Sequence, residues 1–351
     1  MRRIYLVRHG RPDFPLDVRL CLGSTDLPLG ALGRMQVCRT ALWLPETRTL
    51  PAFSSPLSRA QETARFFTDT FTILPDLREM DGGDWEGLRF DEIRRRWPEV
   101  YAARGTDPTL PIPNAEPVET VRRRAMGALR EAMNLTDGDL LIAAHSFVIR
   151  SILSEIGEPA LLRHMVPYAS VTTLTEQDGA LRIAQIGQTP DLPLTPDLAD
   201  ALLSAAAPGE RVEAHCRAVA REAVRIAEAL PIVHNCVLLE NAALLHDVAR
   251  AQPEHAKTGA RWLRELGYES AAYIVSQHHD HDSAILNEGA ILYLADKCVL
   301  ADQVVPLAER FAASKAKCLT EEAKEAHMRR LHTAERLRDE INALCRTEVV
   351  R

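Results

Sequence analysis

A short apolar run at residues 4–10 constrains the fold of this chain more than any other stretch, because it ends abruptly in Arg8, His9 and Gly10. The apolar part predicts a buried β-strand, and ligands bind at the carboxyl ends of such strands in open α/β sheets. Arg8 offers a planar fork of donors for phosphate oxygens, and His9 can act as a neutral nucleophile near pH 7. Gly10 permits a sharp turn and the close approach of an anion to its amides. The alternative interpretation is a strand end with a buried, hydrogen-bonded histidine, and the tripeptide alone does not decide between the two.

Length and composition narrow the class of protein. With 351 residues the chain is longer than one ordinary domain, so we expect two domains. The net charge of −7 argues against a general binder of nucleic acids or anionic membranes, and it leaves room for a local basic pocket that binds phosphate. The seven cysteines lack CxxC spacing and predict reduced thiols rather than a disulfide framework.

The sequence also predicts a cytoplasmic protein. The apolar run near the amino terminus is too short for a signal peptide. No segment approaches the roughly 18 apolar residues that span a bilayer. We therefore expect small-molecule partners, with no nucleic acid and no membrane among them, and the oligomeric state stays open.

Residues 1–188 alternate short apolar segments with amphipathic helices, which is the pattern of an α/β domain. The predicted strands are 3–7, 51–54, 71–74, 139–144, 170–176 and 181–186. The fourth of these is apolar without alternation, which is typical of a strand covered on both faces. Strands separated by helices imply parallel crossovers and an α/β three-layer sandwich. The last two strands are expected to form a hairpin around a turn at 177–179.

A proline-rich linker is predicted at 189–196, where Thr195 and Pro196 are the residue types of a helix N-cap and a first helical position. Beyond it, residues 197–351 show no strand signal and predict an all-α domain. Apolar residues recur there at helical spacing in 211–230, 236–249, 255–267, 269–279, 286–302 and 307–345.

Further side chains that bind phosphate follow other predicted strands of the first domain. Arg59 lies in the first turn of a helix after the second strand, where the helix dipole favours an anion. His145 directly follows the fourth strand. Because the carboxyl ends of parallel strands meet at one edge of a sheet, we expect both side chains beside Arg8 and His9.

A glycine-rich loop at 77–87 adds carboxylates, among them Glu79 and Glu86. A cationic pocket that holds a nucleophile and a nearby acid is what phosphoryl transfer through a covalent intermediate requires. The first domain therefore contains the groups needed for that chemistry.

These motifs resemble those of the histidine phosphatase superfamily, the phosphoglycerate-mutase-like proteins. The resemblance covers roughly residues 1–188 and rests on Arg8-His9-Gly10, Ser55-Pro56-Leu57-Ser58-Arg59-Ala60-Gln61-Glu62-Thr63-Ala64, Leu77-x-Glu79, Gly83-Asp84-Trp85-Glu86-Gly87 and His145. It implies that His9 is the nucleophile that becomes phosphohistidine. It implies also that the transferred phosphoryl group is clamped by Arg8, Arg59 and His145. Glu79 would give a proton to the leaving oxygen and then activate water, and this domain would need no cofactor.

The chain departs from the family pattern at two places. Arg11-Pro12 stands where many members have Glu-Thr, and Ser146 stands where glycine is frequent. Arg11 adds a positive charge that can alter substrate choice. Glu86 is the competing candidate for the acid, although the favoured interpretation of this residue is an anchor packed within its loop.

Two further features bear on the reaction of the first domain. The loop at 21–29 resembles the corresponding loop of α-ribazole phosphatases. Between Glu79 and His145 there is no long insertion of the kind that shields the phosphoenzyme in the mutases. The sequence therefore favours a hydrolase over a mutase.

The predicted all-α domain holds nine of the twelve histidines of the chain. His215 lies one helical turn from apolar positions, and His246 and Asp247 close an apolar helix. Asp296 lies inside an apolar run, where an isolated carboxylate is costly. A divalent metal would remove that cost for all four groups. Mixed histidine and aspartate ligation suits iron, manganese, zinc or magnesium and does not choose among them.

The order of these four residues resembles that of the HD-domain metal-dependent phosphohydrolases, over about residues 205–305. The resemblance implies that His215, His246, Asp247 and Asp296 bind a divalent metal. A metal-bound water would then attack phosphorus.

Other histidines of this domain resemble the extra ligands of two-metal HD proteins, namely His255, His278 and His279. The interval from Asp247 to His255 is short, so the resemblance leaves one or two metals open. The remaining histidines are assigned to surface or packing positions: His234, His281, His327 and His332.

The two halves together predict a bifunctional phosphohydrolase, a histidine phosphatase domain fused to an HD metallohydrolase. Its substrates are expected to be small phosphorylated molecules, with nucleotides among the candidates. One alternative is an amino-terminal phosphatase, with α-ribazole phosphate as a candidate substrate, whose HD domain is a regulatory sensor of metal or nucleotide. A scaffold of two inactive domains is a further alternative, and the presence of all key residues in the first site argues against it.

Overall fold

The computed structural model describes residues 1–232, 234–281, 285–316 and 318–351. These residues divide into two units, Met1–Leu192 and Pro193–Arg351. The division falls within the proline-rich segment 189–196.

A six-stranded mixed sheet forms the centre of the first unit, with the strand order β3-β2-β4-β1-β5-β6. Its strands are β1 (Arg2–Arg8), β2 (Ala52–Ser54), β3 (Thr72–Ile73), β4 (Leu140–Ala144), β5 (Val171–Gln177) and β6 (Ala180–Gln188). The first four are parallel to one another, whereas β5 runs antiparallel to β1 and forms a hairpin with β6. The six predicted strands and the predicted hairpin are confirmed.

The first unit also contains helices, some of which cover the two faces of this sheet. They are α1 (Ala31–Trp43), α2 (Ser58–Arg65), α3 (Phe90–Arg96), α4 (Pro98–Thr106), α5 (Val118–Asn134) and α6 (Ser146–Ile156). Successive residues of a strand point to opposite faces, so Ile4 and Leu6 of β1 enter the core beneath α5 and α6. Tyr5 and Val7 enter a second core on the side of α1. The predicted α/β three-layer sandwich is confirmed.

The second unit consists mainly of helices. They are α7 (Pro196–Ala206), α8 (Glu210–Ala229), α9 (Cys236–Leu245), α10 (His255–Glu265), α11 (Glu269–Gln277), α12 (Glu288–Lys297), α13 (Leu307–Lys315) and α14 (Glu321–Cys345). Thr195 caps α7, because its side chain accepts a hydrogen bond from the amide of Leu198 at 3.2 Å. The predicted helical character of this half and the Thr195 cap are confirmed.

Two predictions for the second unit are wrong in detail. A small hairpin joins β7 (Val299–Leu300) to β8 (Gln303–Val304), where the sequence shows no strand signal, because two-residue strands are too short for a detectable alternation. The predicted helix 307–345 is two helices, since Thr320 accepts a hydrogen bond from the amide of Ala323 and caps α14. Lys317, between them, lies outside the described residues.

Among the helices that the structure describes, none has the length and apolar content needed to cross a membrane.

Candidate active site and candidate metal centre

The predicted phosphate-binding side chains of the first unit meet at one edge of the sheet. His9 follows β1 and His145 follows β4, and the pairing of Arg8 with Ala144 brings the two strand ends together. Both histidines are buried, and their ring centroids lie 5.1 Å apart. Arg59 lies in the first turn of α2, which follows the neighbouring strand β2.

The environment of His9 keeps one ring nitrogen available. Nδ1 donates a hydrogen bond to the carbonyl of Gly10 at 2.7 Å, so Nε2 retains its lone pair. Burial, together with the positive charges of Arg59 and Arg8, lowers the pKa of His9 well below its ordinary value. The imidazole is therefore neutral at pH 7, which is the state a nucleophile needs.

Gly10 serves a different purpose from the one its sequence context suggests. Its backbone is outside the left-handed region, and a Cβ at this position would lie 2.3 Å from the carbonyl oxygen of Gly33 in α1. Its amide donates to the hydroxyl of Thr63 at 3.3 Å. The expectation that this amide faces an anion is therefore wrong, and the glycine is needed for close packing of the strand end on α1.

Two arginines beside His9 are oriented through backbone carbonyls. Arg59 is fully buried and donates to the carbonyls of Gly23 and Thr25, each at 2.8 Å. Arg8 donates to the carbonyl of Val166, and its guanidinium carbon lies 3.9 Å from the ring centre of Tyr168. These contacts fix both guanidinium groups without pairing them with a carboxylate.

Three buried polar atoms at this edge have no hydrogen-bond partner among the described residues: Nε of Arg8, Nε of Arg59 and Nδ1 of His145. Buried polar atoms are normally hydrogen-bonded, and leaving one unpaired is costly. Oxygens of a phosphoryl group would satisfy such atoms. The geometry therefore fits an anion beside His9.

Sequence reasoning missed two side chains of this pocket. Ser55 Oγ lies 2.6 Å from Nε2 of His145, and the ring centroid of Tyr168 lies 5.6 Å from that of His9. Ser55 directly follows β2, so the rule that found Arg59 could have found it. Arg11, in contrast, donates to the carbonyl of Pro15 at 2.8 Å and lies against its own loop.

Glu79 is buried and tied to the helix that follows His145. One carboxylate oxygen accepts a hydrogen bond from the amide of Met80 at 3.0 Å and the other from the amide of Phe147, in α6, at 3.1 Å. When ionised, this carboxylate favours the charged forms of both Arg8 and Arg59. Glu79 therefore lies among the cationic groups of the pocket.

Glu86 anchors a loop. Its carboxylate accepts hydrogen bonds from four backbone amides, those of Gly23 (2.9 Å), Ser24 (3.2 Å), Thr25 (2.9 Å) and Gly82 (2.9 Å). Two of these residues, Gly23 and Thr25, are the ones whose carbonyls hold Arg59. The loop-anchor interpretation of Glu86 agrees with these contacts, and through the loop this carboxylate supports an arginine of the pocket.

We expect Glu86→Gln to lower kcat/KM by about tenfold at pH 7, because charge-assisted hydrogen bonds to the loop are lost.

Burial alone would raise the pKa of Glu86, but hydrogen bonds from Thr25, Gly82 and Gly23 hold it below its ordinary value. The stabilising effect of ionised Glu86 is therefore fully present above the ordinary pKa of glutamate. It is lost as the pH falls through the lowered pKa that this residue has in the folded protein. Denaturant unfolding between about pH 6 and about pH 3 should show a smaller acid-induced loss of stability in the variant. Glu119→Gln is the matched control, since this side chain is 74% exposed; equal acid profiles for wild type and Glu86→Gln would contradict the prediction.

The second unit brings together the four predicted metal ligands. Nε2 of His215 (α8) lies 3.0 Å from Oδ1 of Asp296 (α12). Nε2 of His246 lies 3.7 Å from the same oxygen and 3.8 Å from Oδ2 of Asp247, which follows it at the end of α9. The two aspartates and two histidines thus face one another in the interior of the unit.

Asp247 is shared by two groups of ligands. Its carboxylate joins His215 and His246 in one group and His255 and His278 in the other, with all ligand atoms of a group within 4.8 Å of one another. Oδ1 of Asp247 lies 3.2 Å from Nε2 of His255 and 3.5 Å from Nε2 of His278. Burial lowers the pKa of His255 to about 4, so this imidazole is neutral at pH 7, the form that binds metals.

The orientation of three imidazoles supports a metal centre. Nδ1 donates to a backbone carbonyl in each: His215 to Ala301 (2.8 Å), His246 to Ala243 (2.7 Å) and His278 to Val275 (2.7 Å). Such bonds fix the tautomer and leave Nε2 for a metal, as is usual for metal-binding histidines. Nε2 of His246, Nε2 of His278 and Oδ1 of Asp247 are buried with no hydrogen-bond partner among the described residues. The donor set therefore fits a divalent cation.

Asp296 has a cationic partner in addition to the predicted metal ligands. Nζ of Lys297 lies 2.6 Å from its Oδ2. Burial alone would raise the pKa of Asp296, but the Lys297 ammonium and the neighbouring imidazoles of His215 and His246 hold it well below its ordinary value. Part of the cost of burying this carboxylate is thus offset by the lysine.

The other histidines of this unit lie outside the two ligand groups. His279 is absent from both groups of described residues, and its Nδ1 lies 3.5 Å from Oδ2 of Asp280. His327 is buried and contacts Ser314 at 3.0 Å, as expected for a packing residue. Nδ1 of His234 lies 4.0 Å from Oε1 of Glu288. His281 occupies an interior position beside Tyr293, and His332 is exposed.

Comparison with known proteins identifies two families along the chain. The histidine phosphatase superfamily (branch 1) matches residues 4–189, and the HD domain matches residues 212–300. The uncharacterized phosphatase PhoE of Bacillus subtilis is 32% identical over 169 residues, covering 46% of this chain and 81% of that protein.

A longer relative and a solved structure are also similar. The bifunctional protein Rv2228c of Mycobacterium tuberculosis is 30% identical over 197 residues, and the match covers 53% of this chain and 54% of that protein. The structure of mycobacterial hydrolase 2 has a TM-score of 0.51 at 24% identity, covering 59% of this chain and 97% of the other. This likeness shows a shared fold.

Proposed function

Because the chain belongs to the histidine phosphatase superfamily (branch 1) and carries an HD domain, we propose that residues 1–188 hydrolyse small phosphomonoesters through a phosphohistidine on His9. The observation that carries this proposal is the set of unpartnered buried atoms beside His9, on Arg8, Arg59 and His145. A neutral imidazole next to these atoms is arranged to attack a phosphoryl group that they hold.

The reaction proceeds in two steps. Nε2 of His9 attacks phosphorus while the ester P–O bond breaks, and Glu79 gives its proton to the departing oxygen. Water then attacks the phosphohistidine, and Glu79 takes a proton from it as the P–N bond breaks. Inorganic phosphate and neutral His9 result. Arg8 and Arg59 stabilise the negative charge of the phosphoryl oxygens in both steps.

We expect Glu79→Gln to lower kcat/KM, which reports formation of the phosphohistidine, by roughly 10²–10⁴-fold for an alkyl phosphate such as glycerol 3-phosphate, because the leaving alkoxide then lacks a proton donor. With p-nitrophenyl phosphate the loss in the first step should be much smaller, since nitrophenolate leaves without a proton. Steady-state kinetics on both esters measure this difference. An equal loss of kcat/KM on the two esters would assign the proton donor to another residue. A larger difference between the two esters in Glu86→Gln than in Glu79→Gln would do the same.

For residues 197–351, beyond the linker at 189–196, the proposal is a metal-dependent phosphohydrolase. His215, His246, Asp247 and Asp296 would hold the metal, and His255 and His278 would surround a second position next to Asp247. Mixed nitrogen and carboxylate ligands suit manganese, iron, zinc or magnesium. When bound, such an ion supplies a water molecule that loses its proton near neutral pH.

The substrates of both halves are taken to be small phosphorylated molecules. α-Ribazole phosphate is a candidate for the first half, on the likeness of the loop at 21–29, and nucleotides are candidates for the second. No disulfide joins the cysteines within the described residues, which supports a reducing compartment such as the cytoplasm. A regulatory HD domain that senses metal or nucleotide is the competing function of the second half.

A further inference from the structure

Ser55 and His145 form a pair of fully buried polar side chains at the edge of the sheet that carries His9. Oγ of Ser55 lies 2.6 Å from Nε2 of His145. The pairing of β2 with β4 brings the two residues together, because the amide of Ser55 donates to the carbonyl of Ala143 at 3.0 Å. The contact is therefore built into the strand ends, although the proposed reaction gives Ser55 no role.

The direction of this hydrogen bond follows from the other contact of the hydroxyl group. Oγ of Ser55 accepts a hydrogen bond from the amide of Leu57 at 3.2 Å. A serine hydroxyl also has one proton to donate, and among the described residues Nε2 of His145 is the acceptor that this proton can reach. Leaving a buried donor without an acceptor is costly. Ser55 therefore donates, and Nε2 of His145 accepts.

The proton of the His145 ring must then be on Nδ1. Burial, together with the positive charges of Arg59 and Arg8, lowers the pKa of His145 well below its ordinary value, so the ring is neutral at pH 7. A neutral imidazole has one N–H and one lone pair. Because the lone pair is on Nε2, Nδ1 is the donor, and Nδ1 is the ring atom that has no partner within the described chain.

The two histidines of the site thus have the same tautomer and present opposite groups. Nδ1 of His9 donates to the carbonyl of Gly10 at 2.7 Å, so Nε2 offers a lone pair that can attack phosphorus. Nε2 of His145 accepts from Ser55, so Nδ1 offers an N–H that can stabilise negatively charged oxygens. With the other tautomer, His145 would direct a lone pair at those oxygens and repel them.

We propose that Ser55 is a positioning residue that fixes the tautomer of His145, so that Nδ1 donates a hydrogen bond to the phosphoryl group held beside His9. This inference rests on the proposed phosphatase function. It adds a residue that acts on the phosphoryl group through another side chain. One hydroxyl proton thereby determines whether His145 attracts or repels the substrate.

Selective nitrogen-15 labelling of histidine in the free, full-length protein measures the tautomer directly. Correlation spectra between ring nitrogens and carbon-bound protons distinguish an N–H from a lone pair, and comparison with His145→Gln assigns the signals. At pH 7 we expect Nδ1 of His145 to carry the proton and Nε2 to carry none. In Ser55→Ala the proton should move to Nε2 in a large part of the molecules, because no hydroxyl then donates to that atom.

Kinetics with a chelator present measure the effect on the histidine site alone. Ser55→Ala should lower kcat/KM for p-nitrophenyl phosphate by about 10- to 100-fold, as expected for losing a hydrogen bond to a charged group. Inorganic phosphate, used as a competitive inhibitor, should bind more weakly by a similar factor. Ser55→Thr keeps the hydroxyl and should recover most of the activity.

Ser54→Ala is the matched control. Ser54 is also fully buried in β2, and its hydroxyl donates to the carbonyl of Ser55 at 2.9 Å rather than to His145. This variant removes a buried hydroxyl from the same strand and should change kcat/KM by less than about threefold. A loss as large as that in Ser55→Ala would show that any buried hydroxyl at this place has the same effect, and would overturn the proposal.

A double variant separates positioning from a general structural role. If Ser55 acts through His145, adding Ser55→Ala to a chain that carries His145→Gln should lower kcat/KM by less than about threefold further. Losses that multiply would show that Ser55 acts independently of His145, which contradicts the proposal.

The spectra also decide the question without any Ser55 variant, so a variant that fails to fold does not prevent the test. A proton on Nε2 of His145 in the wild type overturns this inference, and normal hydrolysis by the same sample leaves the phosphatase function intact. Failure of the wild type to hydrolyse both p-nitrophenyl phosphate and glycerol 3-phosphate overturns the proposed function together with this inference.

Discussion

His9→Ala is expected to lower kcat/KM for phosphomonoesters by at least about 10⁴-fold, because removal of a nucleophile abolishes the covalent path. The neighbouring side chains cannot replace it. Nε2 of His145 already contacts Ser55, and the arginines present only donors. Release of p-nitrophenol from p-nitrophenyl phosphate, with a chelator present, measures the loss.

His164→Ala provides the control for this experiment, because His164 is an exposed histidine of the same unit. A second readout is the covalent intermediate. Brief mixing of wild type with labelled substrate should leave a protein-bound phosphate that is stable in alkali and labile in acid, as phosphoramidates are. The label should be absent from His9→Ala. Full activity in that variant would remove His9 from the nucleophile role.

Asp247→Ala is expected to lower the metal affinity of the second unit by more than about 100-fold, since loss of a direct ligand exceeds the effect of losing an indirect one. Asp247 contributes to both ligand groups, so one substitution should empty both. Elemental analysis of the purified full chain measures metal content. The rise in unfolding temperature on adding manganese or iron should disappear in the variant.

Asp302→Asn is the matched control, as Asp302 is an exposed aspartate of the same unit. Wild-type metal content in Asp247→Ala would show that the ligand set is wrong. Carrying His9→Ala in the same chain isolates the second activity. Metal-stimulated release of phosphate from nucleotides or phosphodiesters then supports a hydrolase, and metal binding without release supports a sensor.

The sequence predicts much of the first site because parallel strands place their carboxyl ends at one edge. That rule alone accounts for the placement of His9, Arg59 and His145. It does not find Tyr168, which precedes an antiparallel strand. β5 begins where β1 ends, with Val171 opposite Val7, so the residue before β5 reaches the same edge from the other direction.

In the second unit the helical periodicity predicts the helices, and the resemblance to HD domains indicates the candidate metal ligands. Neither identifies Lys297 as the partner of Asp296. Neighbours in a helix point in different directions, so the pairing of this lysine with Asp296 is visible only in three dimensions. The carbonyl that orients His215 belongs to Ala301, which only folding brings close. The carbonyls that orient His246 and His278 belong to the preceding helical turn. No periodicity in the sequence encodes those bonds.

Because Gly10 and Gly33 meet through backbone atoms, the position of His9 depends less on which side chains fill the core. A Cβ on Gly33 would lie 2.0 Å from the carbonyl oxygen of Arg11, and the atom nearest to a Cβ on Gly10 is likewise a backbone oxygen, with Cγ2 of Val37 next at 2.8 Å. Backbone atoms are the same whatever residues surround them. The apolar side chains on the two faces of the sheet can therefore be exchanged in an evolving or redesigned sequence while the reference point for His9 stays where it is.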